Sequence, residues 1–331
     1  MHRFFRYLSH NHILMALVII LAGWFLLLIR GTLVIFFVAY VLMAGLSPLV
    51  GYLHKKGIPR LLAVFLPYLA ALALVVVFAF ALAPKLLSEF QNLFQNIPDV
   101  LDKVSLFFGI QAHSSRGLSD LFSLLHINPS NILGLTSAIG QAVLTAIAVL
   151  AISIYMLLSR NYLHNIIAGL FPVSSRQKAR DAISRVDLSL GGWLRGQMIL
   201  SAIIGVVVWI FLSLAGVEFS AVLGLLAGLL EIIPYAGPVL AAVPAIIIAL
   251  NVSLAKAAVV AIGYIVIQQL ENHLLVPNVM KRSVGLHPLA VIAVVITGAE
   301  LAGILGALIA VPLATFIKSI YLSFNQPGGP R

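Results

Sequence analysis

Apolar residues run in blocks long enough to cross a membrane, and polar residues gather between the blocks. Residues 12–29 and 32–53 form the first two, with Arg30-Gly31 as the expected turn between them. A polar stretch with Lys55, Lys56, Gly57, Pro59 and Arg60 leads into a third, residues 61–83, where Pro67 is expected to kink the second turn. Residues 131–158, 197–216 and 255–275 read as three more. Each exceeds the ~17 residues that a helix needs to span the hydrocarbon.

Two segments depart from this pattern. In residues 84–127, Leu86, Phe90, Leu93, Phe94, Ile97, Leu101 and Val104 recur at helical spacing, with Glu89, Asp99, Asp102 and Lys103 between them. That spacing predicts an amphipathic helical pair, hinged near Pro98 and too polar to span. It suits a lipid interface, the protein's own bundle or a neighbouring subunit. Residues 159–195 are basic, with Arg160, Arg176, Lys178, Arg180, Arg185 and Arg195 against Asp181 and Asp187. A short amphipathic helix capped by Ser174-Ser175 is expected there, its aspartates pairing with arginines at helical spacing.

The expected organisation is therefore three N-terminal transmembrane helices (1–83), an extracytoplasmic amphipathic segment (84–130) and a fourth transmembrane helix (131–158). A basic cytoplasmic segment (159–195), a core with two helical hairpins (196–318) and a cytoplasmic tail (319–331) complete it. The fold class is all-α, a polytopic helical membrane protein.

Composition agrees: of 331 residues, 62% are hydrophobic and 9% charged, which no soluble globular class matches. The formal charge of +10 is spread over short loops, without the basic and aromatic interleaving of a nucleic-acid groove, so no nucleic acid is expected. With no cysteine, thiol catalysis and cysteine-based metal sites are excluded. The basic start followed by an apolar run resembles a signal peptide, but the run is long enough to span, and it reads as a retained first helix.

The remaining apolar blocks are interrupted. Residues 219–233 and 237–250 flank Glu231-Ile-Ile-Pro-Tyr-Ala-Gly-Pro238, and residues 289–317 are broken by Thr297-Gly298-Ala299-Glu300 and later by Gly303, Gly306 and Pro312, giving arms of about 9 and 17 residues. Pro234 lacks an amide hydrogen and Pro238 biases Gly237 away from helix, so the first block should break and turn back. If both blocks return to the side they came from and the N-terminus is cytoplasmic, 15 lysines and arginines lie inside and 5 outside. A single crossing by either block would invert this pattern. Two re-entrant hairpins entering from opposite sides are expected.

A carboxylate at membrane depth costs roughly 2.5–3.5 kcal/mol and marks a functional site by default. Glu231 and Glu300 occupy matching places in the two breaks, 13 and 12 residues before Pro244 and Pro312. Oppositely oriented broken elements with corresponding motifs suit an inverted-repeat transporter; the alternative is that glycines and prolines serve only close packing. Expected ligands at the first break are Glu231, Pro234, Tyr235, Gly237 and Pro238, with Glu300 from the second. Gln268, Gln269, Glu271 and Asn272, beside His273, either face the same cavity or sit at the interface. Arg195 and Gln197 are candidate gating residues, Arg195 equally an interfacial anchor. No enzyme motif occurs: neither His-Glu-x-x-His, Gly-x-Ser-x-Gly nor a phosphate-binding loop is present, so no catalytic residue, metal or cofactor is expected.

Several motifs resemble the AI-2E (autoinducer-2 exporter-like, PerM-type permease) family. They are Gly192-Trp-Leu-Arg-Gly-Gln197, Glu231-Ile-Ile-Pro-Tyr-Ala-Gly-Pro238, Val284-Gly-Leu-His-Pro288, Gly303-Ile-Leu-Gly306, Ala310-Val-Pro-Leu-Ala314 and the early Pro48 with Lys55-Lys-Gly-Ile-Pro-Arg60. The resemblance implies a bacterial inner-membrane protein of about eight helical elements, homo-oligomeric, with both termini cytoplasmic on the charge count. The expected activity is ion-gradient-coupled transport of a small solute such as autoinducer-2, with a proton or sodium as coupling ion. Exchange of sodium or lithium for protons is the alternative, and a channel or a scaffold without flux the third.

Overall fold

The computed structural model describes residues 12–77, 79, 80, 84, 132–280 and 286–325. The expected amphipathic pair around Pro98, the N-terminal arginines, Lys281, Arg282, Val284 and Gly285, and the tail beyond Asn325 lie outside the described residues. Among those described, every regular element is a helix.

Helix α1 (His12–Leu28) leads into α2 (Arg30–Lys55), and α3 (Arg60–Val77) follows. The turn expected at Arg30-Gly31 is not made. The amide of Ile29 bonds the carbonyl of Phe25 at 3.1 Å, and the amide of Leu33 bonds that of Ile29 at 3.0 Å, so helical bonding runs through the junction. α1 and α2 are thus joined end to end with a bend at Ile29 rather than folded back on one another. No proline lies at the junction, and the glycine there, Gly31, costs a helix only about 1 kcal/mol.

α4 (Ile132–Leu158) and the short α5 (Arg160–Gly169) precede α6 (Arg176–Leu214), a single helix of 39 residues. The separate basic helix and span expected on either side of residue 196 are one element, about 58 Å long at 1.5 Å per residue. Gly191 does not break it because it serves packing: a Cβ there would meet the Ala44 carbonyl at 2.4 Å, and one at Gly45 would meet the Leu194 side chain. This close crossing of α2 and α6 is the membrane use of small residues. The aspartates of this helix also pair differently from the expectation. Asp181 accepts from Gln177 at 3.1 Å, whereas buried Asp187 takes Arg160 of α5 at 2.6 Å, 27 positions away in sequence.

The first broken block forms a hairpin of α7 (Ser220–Leu230) and α8 (Ala236–Val252). α7 lies against α6 through glycines: a Cβ on Gly228 would meet the Ser201 carbonyl at 2.6 Å, and one on Gly224 that of Gly205 at 2.7 Å. α9 (Leu254–Leu270), capped by the Ser253 hydroxyl accepting from the Lys256 amide, packs its buried Ala257, Val260 and Tyr264 against Ala241, Ala245 and Ala249 of α8. Its helix does not end at His273. It runs through a π turn, Glu271–Leu275, into α10 (Val276–Met280).

The last block is α11 (Pro288–Asn325), interrupted at Ala302 and Gly303, where Gly303 takes φ 61° and ψ −146°. A Cβ on Gly298 would meet the Gly306 carbonyl at 2.5 Å. Positions eight apart would be about 12 Å apart along an unbroken helix, so the chain has reversed. The hairpin is as expected, but its turn lies at Ala302-Gly303 instead of residues 297–300, with arms 288–301 and 304–325. Gly298 and Gly306 are its packing seam.

Among the described residues, buried side chains form three apolar clusters: one among α6 to α9, one joining α2, α6 and α11, and one joining α2, α3 and α4. Stretches in α2, α3, α4, α6, α9–α10 and α11 are long and apolar enough to cross a membrane, and α1, α7 and α8 are shorter apolar helices. Lipid is the solvent that large exposed side chains such as Ile20, Leu66, Ile262 and Leu305 require.

Candidate functional site

The first break is built by its own sequence. Glu231 closes α7 through its amide to the Ala227 carbonyl, and Pro234 supplies a carbonyl that accepts from the amide of Ala236, two residues on, at 2.8 Å. Tyr235 at the centre of this tight turn has φ 65° and ψ −43°, close to the rare and strained γ-turn. The Gly237 amide returns to the Ile233 carbonyl at 2.8 Å. Only glycine fits there, because a Cβ would stand 2.0 Å from the Leu230 carbonyl. A strained non-glycine residue persists where the surroundings hold it, and such residues gather at functional sites.

Behind this turn lies a cavity of about 270 Å³. Trp193, Gln197 and Leu200 of α6 form one wall, and Glu231, Pro234 and Tyr235 of the turn another. Glu271, Asn272, Val276, Pro277 and Met280 come from α9–α10, and Pro288, Val291 and Val311 from the two arms of α11. Glu231 is 1% exposed and Glu271 4%. Their side chains lie against one another. The Gln268 amide donates to Glu271 Oε2 at 3.3 Å, whereas Glu231 Oε2 has no hydrogen-bond partner among the described residues. Gln197, itself buried, donates its amide to the backbone carbonyl of Glu231 at 2.5 Å and so ties α6 to the break.

The π turn accounts for Glu271. Pro277 has no amide hydrogen for the His273 carbonyl, and a wider turn absorbs the defect. That turn opens at Glu271 itself. Two buried carboxyls in contact, with no lysine, arginine or histidine among the described lining residues, stay out of water only when protonated or balanced by bound cations.

Of the expected residues, Glu231, Pro234, Tyr235, Glu271, Asn272 and Gln197 line this cavity. Gln268 reaches it through Glu271. Gly237 and Pro238 shape the turn and the first turn of α8 without lining the cavity. Gln269 is exposed, with its carbonyl bonded to the His273 ring at 2.9 Å. Glu300 is exposed near the tip of the second hairpin, apart from the cavity, to which that hairpin contributes apolar side chains nearer its base. Arg195 donates to the Gly45 carbonyl at 3.3 Å and fastens α6 to α2. Trp193 was not among the expected residues, although its spacing from Gln197 and Leu200 along one helix face would have pointed to it.

A bundle of apolar helices with interrupted hairpins around a buried carboxyl cavity defines a membrane transport protein. The chain belongs to the AI-2E family of transporters, whose family model, described as "AI-2E family transporter", matches residues 13–326. It is 29% identical over 304 residues to "Putative transport protein YueF" of Bacillus subtilis, covering 86% of this chain and 82% of that one. It is also 28% identical over 330 residues to "AI-2 transport protein TqsA" of Escherichia coli, covering 94% and 92%.

Proposed function

We propose that this protein is an ion-gradient-coupled secondary transporter that exports a small solute, of the kind its Escherichia coli relative's name gives as AI-2. The observation that carries this reading is the contact between the buried carboxyls of Glu231 and Glu271 in a cavity without a cationic side chain among its described lining. A proton on one carboxyl together with a second proton or a sodium ion at the other neutralises the pair, and only the neutralised site crosses the low-dielectric interior cheaply. Tyr235, Asn272 and Gln197 supply hydrogen bonds to the solute. Exchange of sodium or lithium for protons is the second reading. It draws on the two acidic side chains of the cavity, which suit a small monovalent cation by themselves.

The bacterial relatives support a bacterial inner membrane, and the charge count supports the basic segment and the C-terminus on its cytoplasmic side. It puts the N-terminus there too, but helical bonding through Ile29 argues against that part. A homo-oligomer accords with the exposed apolar length of α1. The test is flux in proteoliposomes under imposed proton and sodium gradients, with AI-2 and sodium as alternative cargoes. Saturable, gradient-dependent AI-2 movement is expected. Sodium flux alone makes the protein an antiporter, and flux of neither removes both readings.

A further inference from the structure

A second hollow lies on the other side of the same contact. It is a groove of about 670 Å³ lined by Leu74 of α3, by Met198, Ser201, Ala202 and Trp209 of α6 and by Leu225 of α7, among others. Its walls are apolar apart from Ser201 and Gln197. Gln197 lines both hollows. On α6, Trp193 and Leu200 face the carboxyl cavity, while Met198 and Ala202 face the groove, so the Gln197 side chain stands between a polar, acidic chamber and an apolar one. In the structure this side chain is held at the boundary by the Glu231 carbonyl, to which its amide donates.

We propose that cavity and groove together form one bipartite site for an organic cation with an apolar tail. The cationic head sits at Glu231 and Glu271, the tail passes Gln197 into the groove, and Gln197 closes the passage when the site is empty. The inference rests on the reading of the two carboxyls as a cation-binding pair. The acidic chamber supplies the charge complement, and the groove, built from membrane-crossing helices, supplies a low-dielectric trough that suits an alkyl chain and excludes a second charge. Such a ligand is concentrated in the bilayer before it binds.

The experiment uses the full chain in lipid nanodiscs with Trp24→Phe and Trp209→Phe, leaving Trp193 in the cavity wall as the reporter. Titrations compare tetramethylammonium, hexyltrimethylammonium and hexanol. Hexyltrimethylammonium is expected to perturb Trp193 at concentrations at least about tenfold lower than tetramethylammonium, since part of its chain leaves water. Ala202→Phe, and separately Met198→Phe, should abolish that gain while leaving tetramethylammonium unchanged, because both positions are exposed in the groove and away from the cavity. Equal affinities of the two cations, or a chain-length gain that survives both groove variants, overturns the bipartite site while the carboxyl reading stands. If neither these cations nor sodium perturbs Trp193, the carboxyl reading fails and the bipartite site with it.

Discussion

Glu231 and Glu271 lie with their side chains in contact and almost wholly out of solvent, although 40 positions and two helices separate them in sequence. Their contact joins the first hairpin's break to the π turn of α9–α10. Any movement of one element relative to the other changes the separation of two acidic groups, and a bound cation or proton resists that change. Coupling between an ion and a conformational step has its physical basis here.

Replacing either partner with the isosteric amide removes the charge while keeping the shape. Glu231→Gln and Glu271→Gln should each lower gradient-driven flux by at least about tenfold, while Glu300→Gln changes it less than about twofold. Neither cavity variant should lose thermal stability, since each relieves the burial of a charge. Proteoliposome flux beside thermal unfolding in detergent checks this; equal flux for all three would remove the pair from the mechanism.

Tyr235 holds a positive φ that glycine adopts freely. Tyr235→Gly should raise stability by about 1 kcal/mol yet reduce transport, because the cavity loses a wall and the turn loses its fixed shape. Gly237→Ala should do the opposite to the fold, costing about 1–3 kcal/mol through the clash with the Leu230 carbonyl. Melting curves of the two variants, read against flux, separate strain from packing.

Asp187 receives the Tyr40 hydroxyl and the Arg160 guanidinium, with the His164 ring nitrogen 3.1 Å away, and Arg160 also reaches Ser47. This buried carboxylate holds α2, α5 and α6 together. Asp187→Ala should cost about 3 kcal/mol and expose α5 to protease, whereas Arg160→Ala, at the partly exposed end of the pair, should cost less. Limited trypsin digestion of vesicles open on the basic side gives the readout. Unchanged digestion of Asp187→Ala would show that the cluster does not secure α5.

The end-to-end junction of α1 and α2 is open to a direct distance measurement, because the chain has no native cysteine to compete for labels. Spin labels on Ile13→Cys and Leu49→Cys, both outward-facing, should lie about 40–50 Å apart along a bent helical rod. An antiparallel pair would bring them within about 10–15 Å, at the usual separation of packed helices plus the labels. The short distance would restore a turn at Arg30-Gly31.

Much of the architecture could be read from the chain because its causes are local. Apolar length gives the crossings, and Pro234, Gly237 and Gly303 mark where a helix cannot continue, so the helical membrane class, the two hairpins and Glu231 at the first break were legible. Glu271 was visible as a polar residue near the end of a span, but its facing was not: a π turn inserts an extra residue into the helical phase, so a 3.6-residue period loses the register there. The pairing of Asp187 with Arg160 ran against the nearer option of helical spacing, because burial rewards the partner that three packed helices bring to it. Glu300 looked equivalent to Glu231 by position within a broken block, and only the reversal of α11 at Ala302-Gly303 left it on the exterior. The sequence by itself determined which stretches lie in the membrane and where their backbones break, since hydropathy and proline or glycine act within a few residues. The tertiary structure decided which polar groups share a cavity, because that depends on helix phase and on close crossings such as Gly191 on Ala44 and Gly228 on Ser201, which bring distant residues to contact.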